Sequence, residues 1–168
     1  MLLALIFAVG GIFGFFYEEL FYRIDLGCWV KRGSTFGPWI PIYGVGALLI
    51  VLSTRKLRRH PVLVFLTAAV LCGALEFGTG WVLLHGFHTR LWDYNTELWN
   101  WGNIGGFICL RSVLFFGVSA LLLQYAIIPV LDKLSQRCDT TPRRLAAFLP
   151  GALFLLDILI FRLCGMSW

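Results

Sequence analysis

Continuous apolar runs, long enough to cross a bilayer, are the feature that most restricts how this chain can fold. Residues 62–84, 104–130 and 145–163 form the three longest runs, and a spanning helix needs about 20 apolar residues. Two shorter runs cover residues 2–17, which can extend through Phe21 to give a span of 2–21, and residues 39–52. Strands of a membrane barrel would alternate in polarity, and these runs do not. The sequence predicts an all-α, polytopic membrane helical bundle of about five transmembrane segments.

The composition supports this class. The chain is 59% hydrophobic and 14% charged, whereas soluble domains are about 45–50% apolar and about 25% charged. No linker or internal repeat divides it, so residues 1–168 are expected to form a single transmembrane domain. The second run opens with Gly37, Pro38 and Pro41, and prolines break helices. We expect that segment to be broken or partly re-entrant.

Two short basic loops, 54–60 and 132–144, set the expected orientation. They contain Arg55, Lys56, Arg58, Arg59, Lys133, Arg137, Arg143 and Arg144. Basic loops stay in the cytoplasm, which predicts a cell-membrane protein with a cytoplasmic N-terminus and an external C-terminus. This pattern explains the net charge of +5 better than nucleic-acid binding does.

Four ionisable residues lie within or at the end of apolar runs: Glu18, Glu76, Arg111 and Asp157. A charge in hydrocarbon costs at least about 2.5–3.5 kcal/mol, so it persists where it is paired, hydrated or functional. At 1.5 Å per residue, Glu76 lies roughly 21 Å and Asp157 roughly 18 Å above the inner boundary, and Arg111 roughly 10 Å below the outer one. All three therefore fall in the outer half of the membrane.

These charges support two readings that can coexist. One is a structural salt bridge from Arg111 to Glu76 or Asp157. The other is a polar site for a ligand, because carboxylates outnumber Arg111. On the third run, Gly73 and Gly80 share a helical face with Glu76, and small residues admit a neighbouring helix. Glu76 is therefore expected to point into the bundle.

Polar residues in and next to the two loops expected on the outer side, residues 18–38 and 85–103, extend the candidate site. The glycine- and proline-rich stretch 31–46 forms either a loop with a kinked helix or a cavity lining that uses Arg32 and Tyr43. Asn103 is expected to share a helical face with Arg111. The candidate ligand-binding residues are Glu18, Arg32, Tyr43, Glu76, Trp92, Asp93, Tyr94, Asn103, Arg111 and Asp157. His85 and His88 make at most half a metal site, so we predict neither metal nor cofactor.

Several of these motifs together resemble the small membrane proteins called putative ABC-transporter type IV. The resemblance covers roughly residues 5–130. It is carried by Arg32-Gly33 with Gly37-Pro38, by Pro41 to Gly46, by Glu76-Phe77 with Thr79-Gly80-Trp81, by Leu91 to Tyr94, and by Asn103-Ile104 with Leu110-Arg111. It implies a transport role. Because the sequence contains no nucleotide-binding motif, ATP hydrolysis would require a separate subunit.

We therefore expect a transporter or permease component for a small polar or charged solute, working in the lipid bilayer as a homodimer or with an ATPase subunit. One alternative is a membrane enzyme acting on a lipid or lipid-linked substrate, with Glu76 or Asp93 as acid/base and Arg32 or Arg111 holding a phosphate. Another is a non-catalytic sensor or assembly factor. The polar layer near one face favours the enzyme, since a through-route also needs polar groups at the inner side.

Overall fold

The computed structural model describes residues 2–30, 33, 36–137 and 141–163. Its regular elements are helices: α1 (Leu2–Asp25), α2 (Pro41–Thr54), α3 (Pro61–Phe87), α4 (Leu110–Leu122), a π-helical turn (Leu123–Ile127), α5 (Ile128–Arg137) and α6 (Thr141–Leu163). Among the described residues, Leu2–Asp25, Pro61–Phe87 and Leu110–Leu134 are long and apolar enough to span a membrane. The predicted all-α membrane bundle is confirmed.

Three helix boundaries differ from the sequence prediction. α1 continues to Asp25, so Glu18 lies inside the helix and not at its end. α2 is a short apolar helix. It begins at Pro41 and not at residue 39, because proline is tolerated in the first turn of a helix and not further in. α4 begins at Leu110 and not near residue 104. The number of membrane crossings and the single domain remain predictions.

The chain divides into two compact units, and each is considered by itself. The first comprises residues 1–48 and 126–168, and the second comprises residues 49–125. In the first unit α1 contacts α5 and α6. Phe154 of α6 packs its ring 5.3 Å from that of Phe7 and 5.7 Å from that of Trp39.

In the second unit α3 packs against α4. Small residues allow this approach: Gly73 faces Ile108 and Val113, and Gly117 faces Phe65. The segment between the helices, residues 88–109, forms a hydrogen-bonded loop beside the α3–α4 pair. His88 ends α3 with a left-handed backbone at φ 53°, which turns the chain into this loop. We call residues 88–109 the outer loop, after the side of the membrane on which the sequence analysis expects it.

Candidate functional site

Glu76 is a buried carboxylate of the second unit. It is 6% exposed and shares its helix face with Gly73 and Gly80, which lie against residues of the outer loop and of α4. The prediction that Glu76 points inward is confirmed.

Two hydroxyl groups approach the Glu76 carboxylate. The Tyr94 hydroxyl lies 2.6 Å from Oε1 and the Ser112 Oγ lies 2.8 Å from Oε2. Burial, and then the charge of Glu76, raise the pKa of the Tyr94 phenol well above its usual value. The Tyr94 hydroxyl therefore stays protonated at neutral pH and donates to Glu76.

The Ser112 hydroxyl allows Glu76 to exist in either protonation state. Its Oγ lies 2.8 Å from Glu76 Oε2 and 2.9 Å from the Cys109 carbonyl oxygen, but a hydroxyl has one hydrogen to donate. If Glu76 is ionised, Ser112 donates to it. If Glu76 carries a proton on Oε2, Glu76 donates to Ser112 and Ser112 donates to Cys109. The arrangement of Glu76, Ser112 and the Cys109 carbonyl is therefore compatible with either form of the carboxyl group.

Arg111 lies beside this group in the first turn of α4. Its Nη2 donates to Glu97 Oε2 at 2.6 Å, and the two side chains are 13% and 5% exposed. Its Cζ lies 5.3 Å from the centre of the Tyr94 ring, within the range of a cation–π interaction. Tyr94 thus contacts Glu76 through its hydroxyl and Arg111 through its ring. We call Glu76, Tyr94, Glu97, Arg111 and Ser112 the Glu76 cluster.

The structure pairs Arg111 with Glu97, a partner that the sequence analysis did not name. The physical reason is the late start of α4. Residues 104–109 belong to the outer loop, so Arg111 enters at the level of that loop and meets Glu97 there. For the same reason Asn103 and Arg111 do not share a helix face.

Three further predicted residues shape the outer loop. Asp93 accepts hydrogen bonds from Arg90 at Oδ2 and from Asn95 at Oδ1. The Trp92 indole donates to the Phe107 carbonyl at 3.0 Å. The Asn103 side chain donates to Asn95 and accepts from the Gly106 amide. These bonds favour a loop-building role for all three, including Asp93, the alternative acid/base.

The other predicted residues lie in the first unit or outside the described part. Glu18 is half-buried on α1, and Tyr43 packs its ring 6.3 Å from that of Tyr17. Arg32 lies outside the described residues. Asp157 accepts from the Phe36 amide at 3.0 Å and from the Gly37 amide and the Trp39 indole at 2.7 Å each. These hydrogen bonds connect residues 36–39, the segment before α2, to α6.

We expect Asp157→Asn to destabilise the protein by about 2 kcal/mol, because an asparagine offers one acceptor oxygen where the carboxylate offers two. Unfolding in mixed micelles, followed by tryptophan fluorescence, measures this change. Asp132→Asn, at a carboxylate in α5, is the matched control and should change stability by less than about 0.5 kcal/mol. Equal stabilities of the two variants would contradict the role assigned to Asp157.

Sequence reasoning missed Glu97, Ser112 and a second polar group around Gln124. Glu97 was detectable as an acidic residue in an aromatic loop, and Ser112 as the neighbour of Arg111. Gln124 gave a weaker signal, as a lone amide in an apolar run. The described residues contain no group of three or more His, Cys, Asp or Glu arranged to hold a metal.

Comparison with known proteins gives one finding. A family model described as "Putative ABC-transporter type IV" matches residues 5–161. No curated protein and no solved structure matches the chain.

Proposed function

We propose that this chain, which belongs to the Putative ABC-transporter type IV family, is the membrane component of a transporter for a small polar or charged solute. It is a membrane protein with three apolar helices long enough to span a bilayer among its described residues. We propose in addition that the solute binds at the Glu76 cluster and that the charge of this cluster decides which solutes bind.

The observation that carries the proposal is the Glu76 cluster. A carboxylate within an apolar span is expensive and is by default a candidate functional group. Here it is 6% exposed and is bound by the hydroxyls of Tyr94 and Ser112. A solute can bind the Glu76 carboxylate in place of the Tyr94 and Ser112 hydroxyls.

The charge of the cluster indicates which solutes suit it. Glu76 and Glu97 provide two carboxylates against the single guanidinium of Arg111. With both acids ionised the cluster carries a net negative charge in a site of low dielectric, where unlike charges attract strongly. A solute that is cationic, or rich in N–H donors, therefore suits the site better than an anion.

Polar groups at the other end of the second unit also support transport over one-sided chemistry. Thr54 and Gln124 are 0% and 2% exposed and lie near the start of α3, whereas Glu76 lies fifteen residues further along, roughly 22 Å away at the helical rise. A route through the unit would meet polar groups at both levels. Polar groups at this second level are what a route through the membrane requires, and the sequence analysis had not identified them.

We further propose that the basic loop 54–60 faces the cytoplasm, by the positive-inside rule. The N-terminus is then cytoplasmic and the Glu76 cluster lies toward the outside. A homodimer or a separate ATPase subunit on the cytoplasmic side would complete the transporter.

The test is exchange of radiolabelled putrescine and arginine across proteoliposomes that contain the full chain, with glutamate as the anionic comparator. We expect faster exchange of a cationic probe in wild-type vesicles than in empty ones. Glu76→Gln should lower this rate by about tenfold, because a charged hydrogen bond contributes about 1.5–3 kcal/mol.

Asp132→Asn, which removes a carboxylate outside the cluster, is the matched control and should exchange at the wild-type rate. Equal rates in empty, wild-type and Glu76→Gln vesicles would count against the proposal. Faster exchange of glutamate than of the cations would overturn the charge preference.

A further inference from the structure

A buried chain of hydrogen bonds holds Arg58 at the end of the second unit that is remote from Glu76. The Arg58 Nε donates to Gln124 Oε1 at 2.7 Å, and Gln124 Nε2 donates to Thr54 Oγ1 at 2.5 Å. Thr54 donates in turn to the Ile50 carbonyl at 2.5 Å. Gln124 and Thr54 are almost fully buried, so this is a built feature and not a chance surface contact.

The helix departs from α geometry where it supplies Gln124. The π-helical turn Leu123–Ile127 lies directly before Pro129. A proline removes an amide donor and crowds the carbonyl four residues earlier, which here is the carbonyl of Tyr125. The series of backbone hydrogen bonds along the helix is therefore interrupted at this point. Single π turns inside helices often mark functional sites. This turn positions both Gln124 and Tyr125 toward Arg58.

Arg58 is fixed at its backbone as well as at its side chain. The Tyr125 hydroxyl donates to the Arg58 carbonyl at 2.8 Å. Because Gln124 engages Nε and Arg58 is exposed, the two terminal nitrogens of its guanidinium can serve a ligand as a fork of paired donors. Arginine binds phosphate through such paired donors. Holding the fork in advance lowers the entropy lost on binding.

The surroundings of Arg58 match one kind of ligand. Arg55, Lys56 and Arg59 are exposed in the same loop, and no acidic residue lies between Thr54 and Pro61. Directly beyond the loop, Val62, Leu63 and Leu66 of α3 are 68%, 46% and 51% exposed. A phosphate site bordered by extra positive charge and an apolar helix face suits a lipid with a net negative headgroup.

We propose that this end of the second unit is a binding site for an anionic phospholipid, with its phosphate on the Arg58 fork and its acyl chains along the start of α3. Thr54, Gln124 and Tyr125 are positioning residues, since they act through Arg58. The neighbouring basic residues supply long-range attraction, and Arg58 supplies the specific contact.

The test uses the full chain in neutral detergent and follows its thermal unfolding as short-chain lipid is added. A ligand that binds the folded state raises the unfolding midpoint in proportion to its occupancy. Dioctanoyl phosphatidylglycerol should raise the midpoint and dioctanoyl phosphatidylcholine should not. Arg58→Gln should weaken the apparent affinity for phosphatidylglycerol by about tenfold.

Three variants separate the effect of the buried hydrogen-bond chain from that of simple charge. Arg59→Gln removes a positive charge from the same loop and should weaken affinity by less than about threefold, because exposed charges are screened. Arg58→Lys keeps the charge and loses the Nε donor, and Gln124→Leu keeps every charge and loses the acceptor. Both should weaken affinity by at least about threefold, since each removes the fixed orientation.

Three results would overturn the proposal. Equal stabilisation by phosphatidylcholine would remove the preference for an anionic headgroup. Equal stabilisation by inorganic phosphate would assign the site to a soluble anion. Wild-type affinity in Arg58→Lys and Gln124→Leu would show that the buried hydrogen-bond chain has no part in binding.

Discussion

Arg111→Met is expected to lower the free energy of unfolding by about 3–5 kcal/mol, because it leaves the Glu97 carboxylate buried without the guanidinium that faces it. Glu97 is 5% exposed and its Oε2 lies 2.6 Å from Arg111 Nη2. The same change removes the cation from the Tyr94 ring. Unfolding by SDS titration of detergent-solubilised protein, followed by tryptophan fluorescence, measures the loss.

Two controls show whether the loss comes from the buried charge. Arg90→Met breaks an ion pair with Asp93 whose side chains are each 31% exposed, and it should cost about 1 kcal/mol. The double variant Arg111→Met/Glu97→Met removes both buried charges and should return to within about 1 kcal/mol of wild type. If the double variant were as unstable as Arg111→Met, packing and not charge would explain the effect.

Glu76→Leu and Glu76→Gln are expected to separate stability from transport. Leucine leaves the Tyr94 hydroxyl without the carboxylate that it contacts, whereas the Ser112 hydroxyl can still donate to the Cys109 carbonyl, and a buried donor left unsatisfied costs about 1–3 kcal/mol. Glutamine reproduces the protonated carboxyl, because its oxygen accepts from Tyr94 and its amide donates to Ser112. Glu76→Gln should therefore stay within about 1 kcal/mol of wild-type stability.

Transport should follow a different order. Glu76→Gln and Glu76→Leu should both lower cation exchange in proteoliposomes by about tenfold, since neither can carry the negative charge of the carboxylate. A Glu76→Gln protein that is stable and exchanges at the wild-type rate would show that ionisation of Glu76 is not needed.

The helices and the inward direction of Glu76 were predictable because they follow from local pattern. Apolar runs fix where a helix can exist in a membrane, and Gly73 and Gly80 mark the face on which another segment approaches. These signals need no knowledge of the rest of the fold. They also bring α3 and α4 together, which is enough to place Glu76 near the start of α4.

The outer loop was not predictable, because its shape comes from hydrogen bonds between residues far apart in the sequence. Ile104 and Gly105 read as part of an apolar run, yet the Ile104 amide pairs with the Ile108 carbonyl and Gly105 accepts from Arg90. These bonds keep residues 104–109 in the outer loop, so that α4 begins at Leu110. Glu97 then lies beside Arg111. The donors to Asp157 were not predictable for the same reason, since they lie near residue 37.

The central claim is that Glu76 and Arg111, from different helices, belong to one site joined by Tyr94. A double-mutant cycle on unfolding free energy, using Glu76→Leu, Arg111→Met and the combined variant, tests it most directly. We expect a coupling energy of at least about 1 kcal/mol, as for residues that share a partner. Additivity to within about 0.5 kcal/mol, as for independent sites, would contradict the claim.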